Sequence, residues 1–201
     1  FVNEKGEITT SDIDFQSYDL SHLKYEGPTD PTITGSLGNV FSYKNWHLNI
    51  FMTYSFGNVT RLDPSFAYSY SDLSAMPKEF KNRWVMPGDE KITSIPAIAS
   101  VRQYYNDTQL SFAYNSYNYS TERIADGGFI RLKDVSLTYD VPRSFLSKIG
   151  LSTAAIKLDA TNLCLLYADD KLNGQDPEFV NSGGVATPLS KQFTLTVRLG
   201  L

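Results

Sequence analysis

A single cysteine, Cys164, stands in 201 residues. It excludes an internal disulfide, and with it the stapled secreted scaffolds whose small cores depend on such bonds. Basic residues are not in excess either. Against 22 Asp and Glu there are 18 Lys and Arg, a net charge of −4, so the electrostatic footprint of a nucleic-acid-binding surface is missing. No apolar run approaches the ~18 residues of a membrane-spanning helix. That absence leaves a β-barrel open, because a barrel strand needs only ~10 residues, half of them polar. The opening FVNEKGEITT has no initiator Met, basic n-region or apolar h-region, and reads as a processed chain or a piece of a longer one.

Hydrophobic residues make up 41% and charged residues 20% of the chain, which is too apolar for disorder. Its 13 tyrosines favour strands and contact surfaces over helices. The pattern along the chain agrees. After a polar, turn-rich start (1–32), the stretch TITGSLGNVFSYKNWHLNIFMTYSFG carries two runs of strict alternation. Folding it at Lys44-Asn45 pairs Tyr43 with Trp46, Phe41 with Leu48, Leu37 with Met52 and Gly35 with Tyr54. The apolar positions of both strands then share one face, with Phe51 the exception on the other. Tyr43 and Trp46 meet at the tight-turn end, either as an aromatic pair at a membrane interface or as a cross-strand pair ending a soluble sheet.

Residues 57–128 are Tyr- and Asn-rich and too long for an ordinary connection. Within them a short helix is expected near Pro77, with Phe80 and Trp84 on its packed side and Pro87-Gly88 as its end. Alternation resumes in FIRLKDVSLTYDVP, where Ile130 and Leu132 fall on the wrong parity, so a bulge or an end to the constraint is expected near Lys133. RSFLSKIG reads as a helical turn or two capped by Gly150. Two further strands follow, TAAIKLDATNLCLLY and a closing one over about 191–201 that alternates without a slip. The fold class is therefore all-β and antiparallel.

Loop lengths are sorted: those after Tyr43 and Pro142 are short, those after Phe56 and Tyr167 long. This is the asymmetry of an outer-membrane barrel. Five strands cannot close a barrel, and an open sheet edge in hydrocarbon would leave backbone groups unsatisfied. If these are membrane strands, the chain is expected to be one arc of a larger barrel, with the final strand as its seam and the partner strand in sequence outside this chain.

Read in order, DPTITGSLGNVFSYKNW, the NRWVMPGD loop, GGFIRLKDVSLTYDVP and TNLCLLYADDKLNGQDPEF resemble the C-terminal part of SusC/RagA-type TonB-dependent outer-membrane transporters of Bacteroidetes. The resemblance runs from about Lys24 to the end. It implies the last quarter or less of a plugged barrel of ~22 strands, in the outer membrane of a Gram-negative bacterium. It implies import of glycans or peptides, a SusD-like lipoprotein lid, and energy from the TonB complex acting through a plug that has no counterpart here. Outer-membrane barrels of this kind commonly end in an aromatic residue, and this chain ends in Leu201.

Candidate site residues follow from that topology. Asn49, Lys157, Asp159 and Arg198 are expected on the lumen-facing side, the charged three as a ladder across neighbouring strands. In the long loop Tyr104, Tyr105, Tyr114, Tyr117 and Tyr119 are candidates for packing, lid contact or stacking on a sugar ring. Asp176 joins them as a contact residue in the loop 169–190. No catalytic residue, metal or cofactor is expected. His22 and His47 lie far apart, without zinc spacing. The cluster Asp169, Asp170, Asn173, Asp176 and Glu178 places Val180 where an EF-hand needs Glu, and reads as a turn held by Asx side chains and Gly174. Ser21-His22-Leu23-Lys24 fits S-x-x-K without its companion motifs. The competing function is a soluble, Tyr-rich carbohydrate-binding β-sandwich, in which Leu48, Ile50, Leu195 and Val197 would be buried rather than facing lipid.

Overall fold

The computed structural model describes residues 23–64, 76–148, 150–180 and 188–201. Ser21 and His22 of the S-x-x-K match lie outside them, as do 65–75 of the first long loop and 181–187 of the second. Five long strands form an antiparallel meander in the order β1 (Ile33–Tyr43), β2 (Trp46–Phe56), β5 (Phe129–Asp140), β6 (Thr153–Ala168) and β7 (Gln192–Gly200). A separate ribbon pairs β3 (Val59–Arg61) with β4 (Ile124–Asp126). The described residues also include four short α-helices, α1 (Val101–Asn106), α2 (Gln109–Asn118), α3 (Arg143–Leu146) and α4 (Pro177–Val180), and four 3-10 stretches.

The β1–β2 register is the one read from the sequence, from Gly35 opposite Tyr54 to Tyr43 opposite Trp46. Lys44 takes a positive φ of 52° at the turn. Gly35 is required where it is, because a Cβ there would run into the Tyr54 hydroxyl and ring. Further along, the ring of Phe51 lies over Gly38. The missing side chain of Gly38 thus explains how a phenylalanine fits on the polar face.

From β2 the pattern passes strand by strand across the sheet. Phe41, Leu48, Leu137, Leu158 and Leu195 form one continuous row, and Tyr43, Trp46, Tyr139, Ile156 and Val197 the next. On the opposite face run Ser42, His47, Thr138, Lys157 and Thr196, then Val40, Asn49, Ser136, Asp159 and Thr194. Of the two readings of the parity break near Lys133, the structure has the bulge. Phe51 pairs with Asp134 but Met52 with Leu132, leaving Lys133 without an opposite. β6 answers with irregularities at the same level, where Asn162 has a φ of 54°. This one-residue slip returns Ile130 and Leu132 to the apolar face and turns Arg131 to the polar one.

Burial on this sheet is inverted relative to a soluble protein. Its buried residues are Ser55, Arg131 and Ser136, all on the polar face. On the apolar face Leu195 is 64% exposed, Phe193 76% and Leu158 55%. Leu48, Ile50 and Leu137 are half-buried, not fully exposed as expected for lipid-facing residues. They sit on β2 and β5, two of the three inner strands of the sheet. The free Cys164 is exposed and lies on the apolar face opposite Leu132.

The chain divides into two compact units, one containing the sheet (27–60 and 126–201) and the other 1–26 and 61–125. The second has a core of its own. Phe80 and Tyr117 are buried with Ile95, Ile98 and Tyr114 packed on them. Arg123 sits beside it almost fully enclosed, bound to Glu79 at 2.7 Å and to the Asp63 carbonyl at 2.6 Å, with its guanidinium over the Tyr117 ring.

Three expectations for the loops are corrected. The helix near Pro77 is a 3-10 stretch of Lys78–Asn82 that buries Phe80 but not Trp84. Arg83 is already extended, so Trp84 leaves the helical face and is 38% exposed. α3 ends at a cap on Ser147, and Gly150, at a φ of 75°, lies beyond it. The region read as otherwise irregular holds α1, opened by a capping box of Ser100 and Gln103, and α2.

In the NRWVMPGD loop, Asp89 accepts hydrogen bonds from the backbone N–H groups of Val85 and Met86, both at 3.0 Å. These bonds, Met86's first, hold its carboxyl below the ordinary aspartate range. The carboxylate is favoured in the folded loop, so its ordering effect is full above the unfolded-state pKa. It is lost as pH falls through the lower folded value. The protection factors of the Val85 and Met86 amides, measured against their intrinsic exchange rates at each pH, should therefore fall only in strong acid, and Asp89→Asn should remove that pH dependence. Protection that is lost near neutral pH instead would contradict this role for Asp89.

Candidate functional site

Two places carry the candidate residues, the polar face of the sheet and the loop unit. On the polar face the register brings Asn49, Lys157, Asp159 and Arg198 together on one side. They do not form the expected ladder. Lys157 pairs with Asp159 at 3.4 Å, two residues along the same strand. Arg198 stands opposite Ala155, one position past the Lys157 row, and makes no ion pair among the described residues. Asn49 Nδ2 donates instead to Asp134 Oδ1 at 3.2 Å, linking β2 to β5.

At the tight-turn end the sequence reading missed a chain of three side chains. Ser42 Oγ lies 2.8 Å from His47 Nδ1, and His47 Nε2 lies 3.1 Å from Asp140 Oδ2. Asn45 adds a bond from Nδ2 to the Asp140 carbonyl at 2.7 Å, and the Asp140 N–H donates to the Asn45 carbonyl. These contacts tie the hairpin tip to the end of β5. Ser42 and His47 become visible in sequence once the hairpin register is drawn, since they face each other across it. Asp140 is 93 residues from His47 and has no local signal.

At the opposite end, Arg131 reaches from the polar face to the segment after β6. Its Nη2 meets both carboxylate oxygens of Asp176, at 2.5 and 2.6 Å, and Glu178 Oε2 at 3.1 Å. The Phe129 ring lies under the guanidinium. Asp176, expected as a contact residue at the surface, is buried in this pair. The rest of its cluster forms a turn. Asp169 caps Lys171, and Asn173 and Gly174 both take positive φ.

The five tyrosines separate by environment. Tyr117 belongs to the loop core, and burial pushes its phenol up from the usual range. Tyr114 packs on that core, its hydroxyl donating to the Ala97 carbonyl and accepting from the Ala99 N–H, both at 2.8 Å. Tyr104 is half-buried. Only Tyr105 and Tyr119 are well exposed, and the Arg61 guanidinium lies over the Tyr119 ring. Aromatic surface able to meet a partner or a ligand is thus confined to these two among the five.

Comparison with known proteins gives the setting of both places. No protein-family model matches the chain. It is 28% identical over 181 residues to TonB-dependent receptor P3 of Formosa agariphila, covering 88% of this chain and 15% of that protein. TonB-dependent receptor P39 of the same organism is 24% identical over 157 residues, covering 77% and 14%. The chain therefore spans about a seventh of the length of these relatives. A solved structure of the RagAB peptide transporter superposes with a TM-score of 0.60 at 25% identity, over 87% of this chain and 18% of that one. The RagAB peptide importer in its open-open state gives 0.59 at 23% identity, over 89% and 18%. The fold of these neighbours removes the soluble sandwich as a reading of the fold. The chain is homologous to part of the TonB-dependent receptors, has the RagA-type antiparallel fold, and carries five strands of a barrel that they do not close.

Proposed function

We propose that this chain is the C-terminal arc of an outer-membrane TonB-dependent importer of glycan or peptide oligomers in a Gram-negative bacterium of the Bacteroidetes type. One observation carries the reading: the sheet encloses serine and arginine while leaving rows of leucine open. Water would penalise that arrangement by the transfer free energy of every exposed apolar side chain. Lipid removes the penalty, because the open rows then face hydrocarbon and the polar face lines an enclosed lumen. In this reading Asn49, Lys157, Asp159 and Arg198 face the lumen and the plug, and the two unpaired edges, β1 and β7, join the remaining strands of a barrel of ~22. The long-loop end is extracellular and the tight-turn end, with Ser42, His47 and Asp140, periplasmic. Energy comes from the TonB complex through the plug, and the chain itself does no covalent chemistry.

A SusD-like lipoprotein lid closes over the extracellular mouth and meets the loop unit. Tyr105 and Tyr119 support this, since exposed tyrosines are enriched at interface hot spots. A stable contact needs about 1,000 Å² or more over the whole interface. The choice between glycan and peptide rests on relatives alone, and the solved neighbours are peptide transporters.

Two experiments on the complete parent protein test the reading. Leu195→Arg, in the middle of the lipid-facing row, should destabilise the folded barrel in bilayers by roughly 2–4 kcal/mol. Thr194→Arg, one residue away on the lumen side, should cost much less. Equal costs would remove the membrane assignment. Photo-cross-linkers placed at Tyr105 and Tyr119 should trap a surface lipoprotein in intact cells. If neither position ever captures one, the lid contact is wrong, while the barrel assignment stands or falls on the first test.

A further inference from the structure

We propose that residues 169–180 are a strap held inward across the polar face by Arg131, and that breaking this hold widens the extracellular mouth. The inference rests on the reading of the polar face as lumen. The strap is fixed at both ends by contacts within the sheet unit. At its start, Asp169 Oδ2 accepts from the Asp126 N–H at 2.7 Å, and Leu172 is 1% exposed. Asn173 and Gly174 then reverse the chain with φ of 53° and 88°. This return delivers Asp176 to Arg131, and Asp176 Oδ1 in turn accepts from the Glu178 N–H at 3.1 Å.

The direction of the fold is set by which face Arg131 occupies. The bulge at Lys133 places it opposite Thr53 on β2 and Leu165 on β6, on the polar side. A segment bound to its guanidinium must therefore lie over the polar face and cannot extend straight on from β6. Buried ion pairs add little net stability over apolar packing, but they fix one arrangement, and removing one partner leaves an uncompensated charge. Only 8% of the Arg131 side chain and 6% of that of Asp176 are exposed. Their separation is therefore an all-or-none event, the property a latch needs. Glu178, with 47% of its side chain exposed, is the outer arm that solvent or a passing solute meets first.

The test uses the complete parent protein, otherwise free of cysteine (Cys164→Ser included), assembled in its native membrane. A reporter cysteine replaces Ser136, which is buried on the polar face. Its rate of reaction with an extracellular, water-soluble methanethiosulfonate is measured. Asp176→Asn should raise that rate about tenfold or more, and trypsin should begin to cut after Lys171 on intact cells. The exchanged pair, Arg131→Asp with Asp176→Arg, should bring both readouts back toward the parental values. Should Asp176→Asn fail to assemble, Glu178→Gln loosens the outer arm alone and should raise the rate by a smaller factor, roughly threefold. An unchanged rate in an assembled variant overturns the strap. Modification of the reporter by a lipid-soluble maleimide and never by the water-soluble reagent, in every variant, would instead refute the lumen assignment.

Discussion

The alternation of side chains along the strands constrains everything else here, because it fixes which medium each face can meet. A strand has two faces and no third option, so each polar residue on one side commits its neighbours to the other. In a soluble sheet the apolar rows would pack on a second layer. In this chain the enclosed side holds Ser55, Arg131 and Ser136, and the open side holds Phe193, Leu195 and Leu158. Burying such rows is the main favourable term in folding in water. A sheet that leaves them open depends on hydrocarbon to satisfy them.

The lesser features serve that division. A Phe51 on the wrong face is accommodated by the bare backbone of Gly38. An arginine that simple parity would place on the apolar face is turned to the polar one by the bulge at Lys133. There its charge is matched by Asp176 and Glu178. Where the sheet meets its tight turns, Ser42, His47, Asn45 and Asp140 tie the hairpin to β5 through polar side chains. The loop unit solves a different problem. It carries its own core around Phe80 and Tyr117 and its own enclosed cation, Arg123.

Most of the sheet was legible in the sequence because period-2 patterns are local and self-checking. Tyr43 with Trp46 and Gly35 with Tyr54 follow from a two-residue turn alone, and two residues on the wrong parity mark a break near Lys133, where the structure has a slip. The loop unit was much less so. The Ser100–Gln103 capping box was there to be read, but α1 buries no residue and α2 only Ala113, Tyr117 and Asn118 near its end. Trp84 was misjudged because a 3-10 stretch ended two residues before it. Arg131 with Asp176, and His47 with Asp140, join residues 45 and 93 apart. Such pairs depend on strand neighbourhood and loop path, neither of which any local pattern records.

A nitroxide scan along β7 of the complete protein in lipid vesicles decides whether the apolar face of the sheet meets lipid and the polar face an enclosed aqueous space. Labels are placed singly from Gln192 to Leu199, and collisions with oxygen, which concentrates in hydrocarbon, are compared with those of a water-soluble nickel chelate. Oxygen accessibility should rise and fall with a period of two residues, high at Phe193, Leu195, Val197 and Leu199 and low at Gln192, Thr194, Thr196 and Arg198. A flat profile, or the same alternation in the opposite phase, would contradict the account.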